Sequence, residues 1–138
     1  MQNSNSIRAL VRVAVASFFI STSMPLSDLH AQDADETAFL NNCSACHSLE
    51  DGTHKFGPSL HGIVGRTAGT VAGFASSKSY VEAGQNGVIW DSTNLDVFLE
   101  RPLLFLGQHA PAPITNKMPI RVPRADTRAL IIEFLLRQ

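Results

Sequence analysis

Long apolar runs, cysteines and an excess of either charge are all scarce in this 138-residue chain, and each shortage excludes something. The apolar run near the N-terminus, Val13 to Ile20, falls well short of the roughly 20 residues a membrane-spanning helix needs. Eleven Lys and Arg stand against twelve Asp and Glu, which is no footprint for nucleic acid. With only two cysteines the chain cannot carry a disulfide framework. Repeats, low-complexity tracts and blocks of like charge are missing as well.

Those two cysteines are Cys43 and Cys46, in the run Cys43-Ser44-Ala45-Cys46-His47. A disulfide across two intervening residues is geometrically poor and closes almost no loop. A dithiol redox pair calls for a βαβ setting, and no β-rich runs flank this one. A structural zinc needs a second pair of ligands; no further cysteine exists, and His54 and His61 do not supply an H-x-x-x-H partner. What remains is the C-x-x-C-H signature of covalent haem attachment. Two thiols three positions apart each add to one vinyl group of a haem, and the histidine that follows lies under the ring. There its Nε2 reaches the iron as proximal ligand.

The N-terminus reads as a cleavable export signal over residues 1–31. Arg8 and Arg12 precede the apolar run, Pro25 breaks it, and Ala31 ends a candidate cleavage site, with Ser21-Thr22-Ser23 as a competing one. A periplasmic location follows, and residues 32–138 form the mature domain. Losing Arg8, Arg12 and Asp28 leaves that domain mildly acidic. One small domain has a modest core, to which a large apolar haem contributes much.

Phe39, Leu40 and Cys43 fall at helical spacing behind Asp33, Asp35 and Glu36, which predicts a helix running into the haem motif. Asp51-Gly52 is a turn. Five glycines between Gly57 and Gly73, with Pro58, read as loop wrapped around something. Ser79-x-x-Glu82 is a capping-box pattern for one short helix. Asp91 or Ser92 caps another, with Leu95, Phe98 and Leu99 on one face and Pro102 as its stop. A final helix has Pro123 at its first position and Leu130, Ile131, Phe134 and Leu135 inward. The Ala110-Pro111-Ala112-Pro113 segment reads as stiff, extended loop. No strand is predicted.

A six-coordinate electron-transfer haem needs a second axial ligand. Met118 is the only methionine of the mature part, in the polar setting Asn116-Lys117-Met118-Pro119. A lone Met is more often core filler, but that role fits an apolar helix face better than a polar loop. His54 and His61 stand too near His47 to cross to the opposite face, so His109 is the competitor.

From residue 33 to 137 the chain resembles the class I (mitochondrial-like) soluble c-type cytochrome family. The matching segments are Cys43 to His47, His54 to Gly62, Val64-Gly65-Arg66, Gly73-Phe74, Gly87 to Trp90, Leu95 to Pro102, Lys117-Met118 and the closing helix. The resemblance implies an all-α fold, the small cytochrome c fold of about four or five short helices and long loops wrapped around one covalent haem c and its iron. It implies His47 and Met118 as iron ligands, a hydrogen bond from His47 Nδ1 to the Pro58 carbonyl, and Arg66 and Trp90 on a haem propionate. It also implies that Phe39 and Phe134 meet where the first and last helices cross. Three positions and one stretch depart from the family pattern. Asp35 stands near an expected Gly at that crossing, Ser76 and Phe98 replace haem-pocket tyrosines, and the stretch from Pro102 to Met118 is longer than usual.

The function implied is periplasmic electron transfer between protein redox partners, without substrate at the iron and without nucleic acid or stable membrane insertion of the mature chain. The protein is then no enzyme, and works as a free monomer or, alternatively, as the tightly bound cytochrome subunit of a periplasmic oxidoreductase complex. The apolar last helix favours the second reading. Lys117, Arg121, Arg124 and Arg128, with Lys55, form a candidate positive rim for steering an acidic partner. The haem motif makes one direct prediction. Mass spectrometry of the exported protein should show a single covalently added haem that resists acid-acetone extraction. Replacing Cys43 or Cys46 by Ala should sharply lower its yield, and stable accumulation of unmodified wild-type protein would refute the assignment.

Overall fold

The computed structural model describes residues 26–138, so most of the expected signal, residues 1–25, lies outside the described residues. Five helices follow one another: α1 (Leu26–Asn42), α2 (Lys78–Gln85), α3 (Ser92–Glu100), α4 (Pro102–His109) and α5 (Ala125–Leu135). A single antiparallel bridge, Thr67 with Ile89, is the only β pairing among the described residues. None of these helices is long and apolar enough to cross a membrane.

The framework is the crossing of α1 and α5. Phe39 and Phe134 stack there with ring centroids 4.9 Å apart and planes inclined by 30°. Phe39 is 2% exposed, a burial worth on the order of 2 kcal/mol. Asp35, on the same side of the crossing, is 4% exposed and pairs with Arg137 at the end of α5. Its other oxygen, Oδ1, is buried without a hydrogen-bond partner among the described residues. An acidic side chain thus contributes an ion pair at this point of the crossing.

The middle of the chain is packed backbone to backbone. Gly69 has φ +74°, and a Cβ built on it would lie 2.6 Å from Val81 Cα; one on Gly84 would lie 2.0 Å from the Ala68 carbonyl oxygen. The 67–69 turn therefore rests directly on α2, a contact that only glycine permits.

The observed caps differ in part from the sequence expectation. Asp91 caps α3 as expected, its Oδ1 accepting from Asn94 N at 2.7 Å. Helix α2 starts after Ser77, so Ser79 sits inside its first turn and bonds to Thr115 instead of acting as cap. Pro102, expected only to stop α3, opens α4, because proline is well tolerated at a first helical position that has no intrahelical N–H bond to lose. Pro123 precedes α5, whose N-cap is Arg124.

Arg128 belongs to this framework and not to a steering rim. It is 6% exposed. Its Nε donates to Asp96 Oδ1 on α3 at 2.7 Å, and Nη1 donates to the carbonyls of Val122 and Pro123 at 3.1 and 2.9 Å. One guanidinium thereby joins α5, α3 and the segment leading away from Met118, helped by Val122 N donating to Leu99 O at 2.8 Å. Arg124 is paired locally with Asp126.

The Asp35–Arg137 pair is unequal: the Asp35 side chain is 5% exposed and that of Arg137 43%. Removing the arginine strands a buried carboxylate, whereas removing the carboxylate frees a guanidinium that water can reach. Denaturant unfolding should therefore find Arg137→Ala more destabilising than Asp35→Ala by about 2 kcal/mol. Adding Asp35→Ala to Arg137→Ala should recover part of the loss, and equal costs for the two single variants would contradict the asymmetry.

Candidate haem site

Helix α1 ends at Asn42 and the next four residues turn tightly. The Cys43 carbonyl accepts from Cys46 N at 3.1 Å and from His47 N at 3.0 Å, while Cys43 N still donates to Phe39 O at 2.8 Å. This turn brings both sulfurs and the imidazole to one wall of a single cavity of about 400 Å3. The Cys43 thiol is pushed up to about 11, first by burial and then by the neighbouring Cys46, as expected for a sulfur facing apolar surroundings.

His47 is aimed from behind. Its Nδ1 lies 2.7 Å from the Pro58 carbonyl oxygen, which can only accept, so Nδ1 carries the proton and Nε2 keeps its lone pair. Burial is the main influence on the ring and holds its pKa below the ordinary histidine value; the Pro58 bond opposes this and the Lys55 charge adds to it. The neutral imidazole, the form that ligates metal, is thereby favoured.

Gly57, unremarked in the sequence except as loop, packs against that ring. A Cβ there would lie 2.3 Å from His47 Cε1 and 2.8 Å from Nε2. Gly57 is itself anchored, N donating to Cys46 O at 2.8 Å and O accepting from Lys55 N at 3.0 Å, so it cannot easily retreat. No spacing rule points to it, because the contact is between residues ten apart across a loop.

The other walls are mostly apolar: Leu60, Ile63, Trp90, Leu95, Phe98 and Leu99. Met118 lines the same cavity, with Lys117, Pro119 and Ile120 beside it. Of His47, His54, His61 and His109, only His47 does. His109 lies instead at the end of α4, its ring 4.6 Å from that of Phe105, and His54 bonds to the Ala72 carbonyl at 2.9 Å. Ser76 and Phe98, at positions where the family resemblance led one to expect tyrosines, both line the cavity.

Trp90 also lines it. Arg66 does not. Its guanidinium donates to the Ser59 carbonyl at 3.2 Å and to that of His61, and it faces a smaller polar cavity shared with Asp51, His54 and Thr70. Of the two residues expected on a propionate, the structure brings only Trp90 to the main cavity wall.

The donor set fits a haem. Two thiols and one imidazole converge on an apolar space of the size that encloses small ligands, and glycine leaves room for the imidazole. Gly57→Ala should push the His47 ring out of line while leaving both cysteines in place. Covalent haem yield should fall several-fold, and the holoprotein that forms should show a weakened axial field by electron paramagnetic resonance. A wild-type spectrum at wild-type yield would mean the loop yields without moving the ring.

Comparison with known proteins agrees with this geometry. No family model matches the chain. Cytochrome c2 of Pararhodospirillum photometricum is 39% identical over 95 residues, spanning 67% of this chain and 84% of that protein. Cytochrome c 2.1 of Caenorhabditis elegans is 33% identical over 113 residues, 80% of this chain and 93% of that one. The structure of cytochrome c2 from Rhodospirillum centenum superposes with a TM-score of 0.72 at 30% identity, covering 77% of this chain and 96% of its own. Two thiols and an imidazole on one wall of an apolar cavity, inside a five-helix fold that superposes on a cytochrome c2 structure, together with the sequence identity to these relatives, place the chain in the class I family of soluble c-type cytochromes, electron carriers with one covalent haem c and its iron.

Proposed function

We propose that the protein is a periplasmic electron carrier with His/Met ligation, in which Cys43 and Cys46 anchor the haem and His47 and Met118 are the axial ligands. The observation that carries this reading is the shared cavity. His47 and Met118 line one apolar space with both sulfurs, whereas His109, the rival ligand, stands outside it. When bound, the haem supplies a one-electron couple between ferrous and ferric iron.

The chain's residues govern that couple. Pro58 holds the His47 ring in one tautomer and strengthens Nε2 as a donor. A thioether from Met118 favours the reduced state relative to a second imidazole. Apolar walls disfavour the extra positive charge of the oxidised state. Trp90 can offer its indole N–H to a propionate; Arg66, engaged with two loop carbonyls, supports the loop beneath.

A partner's approach is favoured at the cavity rim. Phe56 is 90% exposed and Ile120 44%, and both line the cavity mouth together with Lys117. Lys55, Lys117 and Arg121 are exposed cations without a salt-bridge partner among the described residues, and Lys55 also donates to the Ser44 carbonyl at 2.7 Å. Any steering of an acidic protein falls to these three, a weaker and more local field than five cations give.

The reading as a fixed subunit of an oxidoreductase is weakened. Of the apolar residues between Thr127 and Arg137 that suggested a surplus, Ile131, Ile132, Phe134 and Leu135 are buried within the domain, while Leu136 is 46% exposed. Export rests on the pattern of residues 1–31. Cleavage after Ala31 would keep α1 from Gln32 onward, including Asp35 and Phe39.

The test is ligand exchange at the iron. Met118→His should keep a low-spin six-coordinate haem at a lower potential, and Met118→Ala should open the iron to cyanide or carbon monoxide. His109→Ala should do neither. If His109→Ala opens the site while Met118→Ala stays low-spin, the protein is a bis-histidine cytochrome.

A further inference from the structure

The backbone of Met118 is held by one side chain. Asn116 Oδ1 accepts from Met118 N at 3.0 Å, and Asn116 Nδ2 donates to Met118 O at 2.8 Å. A single amide thus satisfies both polar backbone groups of that residue. The orientation is unambiguous, because Met118 N–H requires an oxygen and Met118 C=O requires a donor.

That amide is in turn held by α2. Tyr80 OH donates to Asn116 Oδ1 at 2.7 Å across 36 residues of sequence. Two further bonds fasten the residue before it: Ser77 Oγ donates to Thr115 O at 2.8 Å, and Thr115 N donates to Ser79 Oγ at 2.9 Å. Ser79 is fully buried. The first turn of α2 therefore grips the Met118 segment at two adjacent residues.

Tyr80 is the only tyrosine of the chain, and it lines the haem cavity with its ring edge-on to Phe98, centroids 5.8 Å apart. Phe98 fills the wall without a hydroxyl. The Tyr80 hydroxyl enters the same region from a different helix and is directed at Asn116. Burial raises the phenol far above its ordinary pKa, so it stays a donor throughout the working range of the protein.

We propose that Tyr80 is a positioning residue for the sixth ligand: its hydroxyl locks Asn116, and Asn116 locks the Met118 backbone, so that breaking the chain at Tyr80 lets Met118 leave the iron more often. The inference rests on Met118 being the ligand. It assigns the rate at which the iron site opens to a contact between α2 and the ligand loop, outside the iron's own coordination sphere. It also explains how a segment following the irregular 110–114 stretch is kept in register.

The experiment is imidazole binding to the ferric holoprotein by stopped flow, where spontaneous departure of the native ligand limits the rate. Tyr80→Phe keeps the ring and its packing on Phe98 and removes one hydrogen bond, so the limiting rate should rise about fivefold, the factor for a net loss near 1 kcal/mol. Asn116→Ala should raise it at least as much. In the double variant Tyr80→Phe should add nothing to Asn116→Ala, because Tyr80 acts through that amide. The sulfur-to-iron absorption band should persist in the resting single variants. A wild-type limiting rate in Tyr80→Phe, or full additivity in the double variant, overturns the proposal. Should Tyr80→Phe not yield holoprotein, Asn116→Ala alone decides, an unchanged rate counting against the latch. Met118→Ala separates the two levels. If it opens the iron while Tyr80→Phe is silent, only the latch fails; if it leaves the iron closed, the ligand assignment fails with it.

Discussion

The structure depends on enclosing one large apolar group within a chain too short to build an ample core from side chains alone. The cavity walls are aliphatic and aromatic, and exposing them to water is unfavourable in proportion to their area. Covalent haem c, the family's prosthetic group, would cover those walls and become part of the core. That requirement explains why 35 residues between Cys43 and Ser77 form no helix. They follow the outline of the cavity, turning on glycines and hydrogen-bonding to each other, as Leu60 N does to Ser48 O at 2.8 Å.

Polar side chains in this domain mostly serve placement. Arg128 joins two helices to the segment after Met118, Asn116 and Tyr80 fix the segment before it, and Pro58 and Gly57 fix His47 from behind. The two candidate ligands are thus restrained by elements far apart in sequence. Such restraint suits a carrier, because a site whose geometry barely changes between oxidation states transfers electrons with little rearrangement. The Asp35–Arg137 pair is the exception, since it secures the helix crossing while leaving one buried oxygen unsatisfied.

Much of the site was legible because its chemistry is local. The two thiols and the histidine must lie within one turn of chain, so five consecutive residues disclose them. The Phe39–Phe134 contact and the Pro58 bond were accessible only through resemblance, since nothing in the spacing of residues 11 or 95 apart marks a contact. Helix α4 is not legible in the sequence, because proline ends one helix and begins another equally well. Ser79 looks like a cap because S-x-x-E is a local pattern, and the bond to Thr115 that determines its role is not. Arg128 is indistinguishable from the exposed cations because sequence records charge and not burial.

The sequence by itself disclosed the prosthetic group, and it pointed to candidate attachment points and one candidate axial ligand, because covalent chemistry and helical spacing act over a few residues. Only the tertiary structure decided which cations remain free, which loop glycine touches the imidazole, and which hydroxyl reaches the ligand loop. Each of those is a contact across a fold in which neighbours in space come from different helices. Side chains of one type take opposite roles there: Arg121 stays in water, while Arg128, seven residues on, is buried against Asp96 and two carbonyls. Burial converts a charge into a fastening when partners surround it, and a sequence does not say where the partners will be.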